Sequence, residues 1–300
     1  MKNKQQCLDV LVVDMDAQTN ATKALMVIKS VNNPEEVISI QKTIMRGVQE
    51  GSLEGIAVEI VDHLQLLPTL IEFEDFAKYL YKSTDSDYEA DHLFSKLLKL
   101  LKKDVDLIIL DIPPLNIECT KNAVLASEYV LISLQTQTRS LDDAEQFVKQ
   151  RKKVSAKYDH NVEIVGVLPV MLKKQRASDQ FILDQSKVSF GEGNLFQQVI
   201  PNLDRVPTQD LKGIVLEDRH DMRLNTVFTN IAYEFLERLY YFENQGSQIK
   251  MSDGLKEEFN ALKTIRKIKF DYDMLGILID YYVKDLSPSE KRKFKTLTED

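Results

Sequence analysis

Three hundred residues, 43% hydrophobic and 29% charged, suit one large globular domain or two unequal ones and exclude a disordered or fibrous chain. A net charge of −8 excludes a uniformly basic coat for nucleic acid, while leaving room for a local basic patch. No apolar run approaches the ~20 residues of a membrane span, and no apolar signal segment follows the basic start at Met1–Lys4. The cytoplasm is therefore the expected compartment. Cys7 and Cys119 are the two cysteines, too few for a disulfide framework, and His63, His92, His160 and His220 show no ligand spacing.

Along the chain, Val10–Val13 is a short β-branched run expected to form a strand covered on both faces. A polar turn, Asp14–Thr22, and a helix-like stretch follow it. Ala57–His63 reads as an amphipathic segment before the apolar run Leu64–Leu67. Glu74–Tyr81 and His92–Leu101 read as amphipathic helices before the run Leu107–Leu110. Val130–Leu134, the helical pattern Leu141–Tyr158 and the run Ile164–Leu168 continue the alternation. Repeated strand, helix, strand predicts an α/β fold, a mostly parallel sheet with helices on both faces. Asn225–Phe242 predicts one long amphipathic helix, and the polar break Glu243-Asn-Gln-Gly-Ser247 marks a boundary. The expected division is a main domain over 1–243 and a tail over 247–300.

In such sheets ligands bind at the carboxyl ends of the strands. Three stretches leave strands there: Val10-Leu-Val-Val-Asp-Met-Asp-Ala-Gln-Thr-Asn-Ala-Thr22, Leu107-Ile-Ile-Leu-Asp-Ile-Pro-Pro114 and Ile164-Val-Gly-Val-Leu-Pro-Val-Met171. Aspartate at the end of a buried strand is costly unless it meets a cation or hydrogen-bond donors. Asp14, Asp16 and Asp111 thus suggest a shared Mg²⁺ and phosphate. An N-cap role for the following helix is the equal alternative on these residues alone.

Asp14-Met-Asp-Ala-Gln-Thr-Asn-Ala-Thr22 resembles the DxDPQxNAT motif of ParA-type partition ATPases, with Ala17 in place of the usual proline. Leu110-Asp-Ile-Pro-Pro114 resembles their Walker B motif. Ala126-Ser-Glu-Tyr-Val-Leu-Ile-Ser-Leu-Gln-Thr-Gln137 and Phe190-Gly-Glu-Gly-Asn-Leu-Phe-Gln-Gln-Val-Ile-Pro201 resemble two further family segments, and all four stand in family order over about residues 8–240. The resemblance implies a P-loop-type domain that uses ATP and Mg²⁺. It implies that Asp16 positions the attacking water, that Asp111 holds Mg²⁺ through water, and that Asp14 lies beside the metal. It places Pro169, Met171 and Pro201 against the adenine. It also implies a homodimer that binds DNA and a centromere-binding, ParB-like partner, with no membrane.

The family's phosphate loop, K-G-G-x-G-K-[ST]-T after a first strand, cradles phosphates on backbone N–H groups and neutralises them with lysine. No glycine precedes Gly47 here, and no Gly-Lys-Ser/Thr occurs in the 300 residues. Gly191-Glu-Gly193 lacks the lysine and reads as a turn. The sheet is therefore expected to be incomplete at its N-terminal side, exposing apolar neighbours. Two accounts stand: a loop encoded upstream of the recorded start, which we favour, or a degenerate member that no longer hydrolyses ATP. Neither lets these residues alone hold ATP tightly.

In the tail, Gln248, Lys250 and Ser252 alternate with Ile249 and Met251 at strand periodicity. Ser252 or Asp253 then caps a helix bearing Leu255, Phe259, Leu262 and Ile265. A break at Phe270–Asp273 precedes a second helix, and Ser287-Pro-Ser-Glu starts a short basic third. This strand-helix-helix order resembles a ribbon-helix-helix module, which would turn Gln248, Lys250 and Ser252 to DNA bases. A helical hairpin packed on the main domain or on a partner is the other reading. The basic runs Lys149–Lys153 and Lys173–Arg176 read as solvated surface or as DNA-phosphate contacts. Beside DNA segregation, two rival functions follow: a non-catalytic DNA-binding regulator of plasmid copy number or transcription, and an ATPase that positions proteins at a membrane. The tail offers no convincing basic amphipathic helix for the second.

Overall fold

The computed structural model describes residues 7–113, 116–172, 177–202, 219–244, 252–266, 268 and 271–298. The chain divides into two units, Met1–Glu234 and Phe235–Asp300.

In the first unit, β1 (Val10–Asp14) lies between two parallel neighbours, β3 (Leu64–Leu67) and β4 (Leu107–Asp111). β2 (Val58–Val61) joins β3 antiparallel, giving the order β2-β3-β1-β4. A second sheet, parallel throughout, has the order β5 (Tyr129–Gln135), β6 (Glu163–Leu172), β7 (Ile200–Pro201). The mostly parallel α/β architecture read from the sequence is thus present, in two sheets. Helices supply the layers: α1 (Asn20–Asn32), α2 (Ile44–Glu50), α3 (Phe76–Ser83), α4 (Asp87–Asp91), α5 (Leu93–Leu98), α6 (Ile117–Ala126), α7 (Thr138–Tyr158) and α8 (Ala177–Phe190).

One face of the first sheet carries the main core. Leu11, Val13 and Leu67 pack there with Phe73, Phe76, Phe94 and the Cys119, Ala123 and Ala126 face of α6, and Ile108 and Leu110 border them. α6 starts where the Asn116 side chain accepts from Cys119 N at 3.0 Å, an N-cap that satisfies an orphan donor. Asn122, fully buried on this helix, accepts from Phe94 N at 3.0 Å and donates to Ala90 O at 3.1 Å, tying α6 to α4 and α5. Buried Asp91 is offset by Lys121 and Lys157 at 3.5 and 3.3 Å, which binds α4 to α6 and α7. On the other face of the sheet α1 lies against β2 and β3.

One expected element changes type. Ala57–His63 is not helical; Val58–Val61 is a strand of the β2–β3 hairpin. Four apolar or β-branched residues mixed with Glu59 and Asp62 satisfy a period of two as well as of 3.6, and the run is too short for length to decide. The hairpin turns through His63 at φ 66°, a left-handed conformation rarely announced by histidine.

α9 (Arg219–Glu243) contains the expected long helix and runs through the division between the units. The second unit has α10 (Asp253–Arg266), α11 (Asp271–Asp285) and α12 (Pro288–Thr298). Phe259 and Met274 are buried, whereas Leu255, Leu262 and Ile265 are exposed. Ile249, Met251 and the proposed base-facing Gln248 and Lys250 lie outside the described residues, as does the basic run Lys173–Arg176.

Candidate functional site

The two carboxylates at the strand ends are neighbours by register: Asp14 on β1 is paired with Asp111 on β4. The backbone fastens the pair, because Met15 N donates to Asp111 O at 2.8 Å. Beyond β1 the chain folds into a tight turn in which Asp16 Oδ1 accepts from Gln18 N at 2.9 Å and Asp16 O accepts from Thr19 N at 2.8 Å. Thr19 itself sits at φ 61° and offers α1 no side-chain cap. Asp14 takes that part from a distance. Its Oδ2 accepts from Thr22 N in the first turn of α1 at 2.8 Å, and its Oδ1 accepts from Asp16 N at 3.0 Å. A carboxylate with no exposed surface is tolerable here because both oxygens meet backbone donors at a helix N-terminus.

Of the two sequence alternatives for these aspartates, Asp14 satisfies capping. Asp16 and Asp111 remain available. Asp16 is half-buried with Oδ2 open, and the Asp111 carboxylate, exposed at the end of β4, accepts no hydrogen bond among the described residues. Packing around its base, then Asp14, then Asp16, push the Asp111 pKa up to about 6. Burial is the larger cause, and the two neighbouring carboxylates add to it. The ammonium on this turn, Lys23 Nζ, donates to Gln18 O at 3.0 Å.

Pro169, Met171 and Pro201 stand at the carboxyl end of the second sheet. Pro169 is buried, and Pro201 pairs with Leu172. Met171 is 49% exposed at φ 59°, the residue displaced where the β6–β7 register shifts. A non-glycine in that conformation is strained, which sequence reading could not see. Gly191 turns at φ 86° into a short 3₁₀ segment, Glu192–Asn194, as the reading of a plain turn had it. Ser252 is exposed immediately before α10.

The carboxylates fit the outer coordination sphere of a magnesium ion, held through water. They do not make a metal cage: among the described residues no group of three His, Cys, Asp or Glu could hold an ion directly. Nor do the described glycines form a phosphate cradle. Gly47, the first, is a packing residue on α2, where a Cβ would meet Ile56 Cδ1 at 2.4 Å and Ser52 O at 2.7 Å. A shallow cavity lined by Asp9, Glu59, Asp62 and His63 opens at the other, amino-terminal end of β1 and β3. There His63 Nδ1 lies 2.8 Å from Asp9 Oδ1, which raises the histidine pKa. Strand-end chemistry places ligands at the opposite end, with the aspartates. Among the described residues no helix is long and apolar enough to cross a membrane.

Comparison with known proteins bears on the family and the fold. A family model described as an AAA domain matches residues 2–164. The chain is 28% identical over 192 residues to the chromosome-partitioning ATPase Soj of Thermus thermophilus, covering 64% of this chain and 68% of that one. It is 25% identical over 230 residues to the sporulation initiation inhibitor protein Soj of Bacillus subtilis, covering 75% and 85%. An McdA–ATP complex from Cyanothece shares the fold at a TM-score of 0.65 and 19% identity, over 82% of this chain and 88% of that chain.

Proposed function

This chain belongs to the AAA-domain family of ParA-type partition ATPases, and from that membership we propose that it serves DNA segregation as a nucleotide-gated dimer that binds DNA and a ParB-like, centromere-binding partner. The main domain, over 1–243, would carry the switch, and the module over 247–300 would add DNA contacts through Gln248, Lys250 and Ser252. Bound Mg·ATP would supply the phosphoryl group and a cation for the carboxylates. Asp16 would then orient a water, Asp111 would help hold the magnesium through water, and Asp14, which accepts from Asp16 N, would hold the turn that aims Asp16. Phosphoryl transfer asks for position and neutralised charge more than for covalent chemistry, so carboxylates on rigid strand ends suit it. Pro169, Met171 and Pro201 are assigned to the adenine side. Because the 300 residues contain no Gly-Lys-Ser/Thr, no hydrolysis is expected from them alone.

The observation that carries this reading is the register that sets Asp14 beside Asp111 with Asp16 one turn away. The test is a segregation assay in the host replicon. Asp16→Ala and Asp111→Ala are expected to raise the frequency of daughter cells that lose the DNA, at unchanged protein level. Wild-type inheritance with both variants would remove the carboxylate site from the function.

That no Gly-Lys-Ser/Thr occurs within these 300 residues leaves one second reading, a non-catalytic DNA-binding regulator of copy number or transcription. It requires sequence-specific binding without nucleotide, falling with salt. A gel shift on the replicon's own DNA, with and without Mg·ATP, separates the two.

A further inference from the structure

The 25-residue helix α9 has two distinct faces. Leu224, Ile231, Glu234 and Arg238 are buried along one of them. There the Glu234 carboxylate accepts from Gln197 N at 3.0 Å, which fastens the helix to the segment before β7. On a surface helix the opposite face is ordinarily polar. Instead Met222, Thr226, Thr229, Tyr233, Leu236 and Tyr240 follow one another at spacings of four, three, four, three and four residues. At about 100° per residue they fall within about 80° of arc, the narrow seam of a coiled coil rather than the broad stripe of a helix laid on a core. Met222 is 54%, Tyr233 64% and Leu236 36% exposed, both threonines are exposed with them, and Tyr240 closes the row half-buried. Thr226 Oγ1 donates to Met222 O at 2.9 Å, so its hydroxyl is satisfied within the helix and its methyl group is left for the seam.

We infer that this seam is an interface with a second copy of the chain, α9 lying antiparallel on α9 about a two-fold axis level with Ile231. The row is complementary to itself when reversed. Met222 then faces Tyr240, Thr226 faces Leu236 and Thr229 faces Tyr233, and symmetry repeats each layer. Charge fixes the direction. Arg223 and Glu237 flank the seam on the same side, both are exposed, and neither forms an ion pair among the described residues. In the reversed pair each Arg223 meets Glu237 of the other copy, which gives two ion pairs. Parallel pairing sets Glu237 against Ala232 and Asn230 against Asn225, with no ion pair. At the axis Ala232 meets Ala232, and so small a side chain lets the helices approach closely. A contact of about 27 Å, roughly five turns, is short for two free peptides that must fold on each other. Here the buried face already holds the helix, so that ordering cost is absent. This inference goes beyond the nucleotide-gated pairing proposed above, because no nucleotide takes part in the seam.

The test is sedimentation of the 300-residue chain without nucleotide, from about 1 to about 300 µM, where a monomer–dimer equilibrium with a dissociation constant on the order of 10 µM is expected. Tyr233→Lys places two like charges beside the axis and is expected to leave only monomer at the top of this range. Circular dichroism and thermal midpoint stay in place, because position 233 is mostly in water. Arg223→Glu alone and Glu237→Arg alone each turn two attractions into two repulsions and weaken the dimer about tenfold. Mixing these two single variants restores wild-type affinity through the mixed pair, and so does the chain that carries both changes. A structural role of either residue within one chain predicts no such rescue. A chain monomeric throughout, a dimer indifferent to Tyr233→Lys, or charge variants without rescue overturn the inference. So does a dimer seen only with Mg·ATP, because pairing then belongs to the nucleotide gate. The response of segregation to Asp16→Ala and Asp111→Ala reads the proposed function separately, whichever way sedimentation turns out.

Discussion

Each sheet has one edge that is finished and one that is not. The outer edge of the first sheet, β2, is four residues long, antiparallel, charged at Glu59 and irregular between Glu59 and Val61. The outer edge of the second, β7, is two residues long and ends in Pro201, which has no N–H to offer. Shortness, charge, bulges and proline are the devices by which sheets refuse further strands. The inner edges have fewer of them: β4 is charged at its last residue, Asp111, and β5 meets β6 with one register shift, between Val130 and Leu131. β4 is Leu-Ile-Ile-Leu-Asp in unbroken register with β1, and β5 is seven residues without a charge. The contrast teaches that β4 and β5 are built as interior strands.

Val12 offers the sharpest way to break that comparison, because it has Leu66 as its register partner on one side and Ile109 on the other. Leu66 is fully buried and Ile109 is 43% exposed. Leu66→Ala is expected to cost about 2–4 kcal/mol, a lost side chain plus a cavity. Ile109→Ala, already half in water, should cost less than about 1 kcal/mol. Urea midpoints at unchanged slope measure both. Equal losses would mean that the Ile109 face is covered in solution and that the edge is not open.

A smaller effect sharpens the finished side. Thr69 N, buried at the exit of β3, donates to Thr22 Oγ1 on α1 at 3.1 Å. Thr22→Val keeps the shape and removes the acceptor, so a buried donor is stranded at a cost of about 1–2 kcal/mol. The same urea series reads it. A neutral result would mean that α1 is not fastened to β3 by this bond.

How much of this was legible in the sequence depended on period and length. β1 and β4 were readable because four apolar residues in a row followed by aspartate have no other good solution in an α/β chain. Their aspartates were readable as a candidate site, but not as a division of labour. Only the geometry shows that Asp14 uses both oxygens on Thr22 N and Asp16 N while Asp111 keeps its own free. β2 was misread because a short mixed run carries two periods at once, and its turn sits on histidine rather than on glycine. An exposed apolar face was expected from the absent loop. What no pattern could give is where it falls, since that depends on which strands end up adjacent. The start of α12 was legible from serine, proline and helical spacing, whereas the break expected at Phe270–Asp273 falls too late, since α10 ends at Arg266 and α11 already includes Asp271.

The smallest expected effect lies at Asp111. Its pKa stands near 6 in the fold against an ordinary value of 3.8, so the folded chain holds this proton more tightly than the unfolded one. A carboxyl group shifted upward stabilises the fold below its ordinary pKa. It loses that contribution as pH climbs from about 3.8 toward 6, after which the curve flattens. Asp111→Asn deletes the titration and much of the repulsion with Asp14 and Asp16, while keeping the volume. Relative to wild type, the variant should therefore match in thermal midpoint near pH 4 and melt higher above pH 6. The gap should be smaller than the loss from Leu66→Ala, because the carboxylate is partly in water and screened. Thermal melts of both proteins across this range decide it. A wild type that keeps or gains its advantage above pH 6 would mean that Asp111 already meets a cation. The inner edge of β4 would then be as finished as β2.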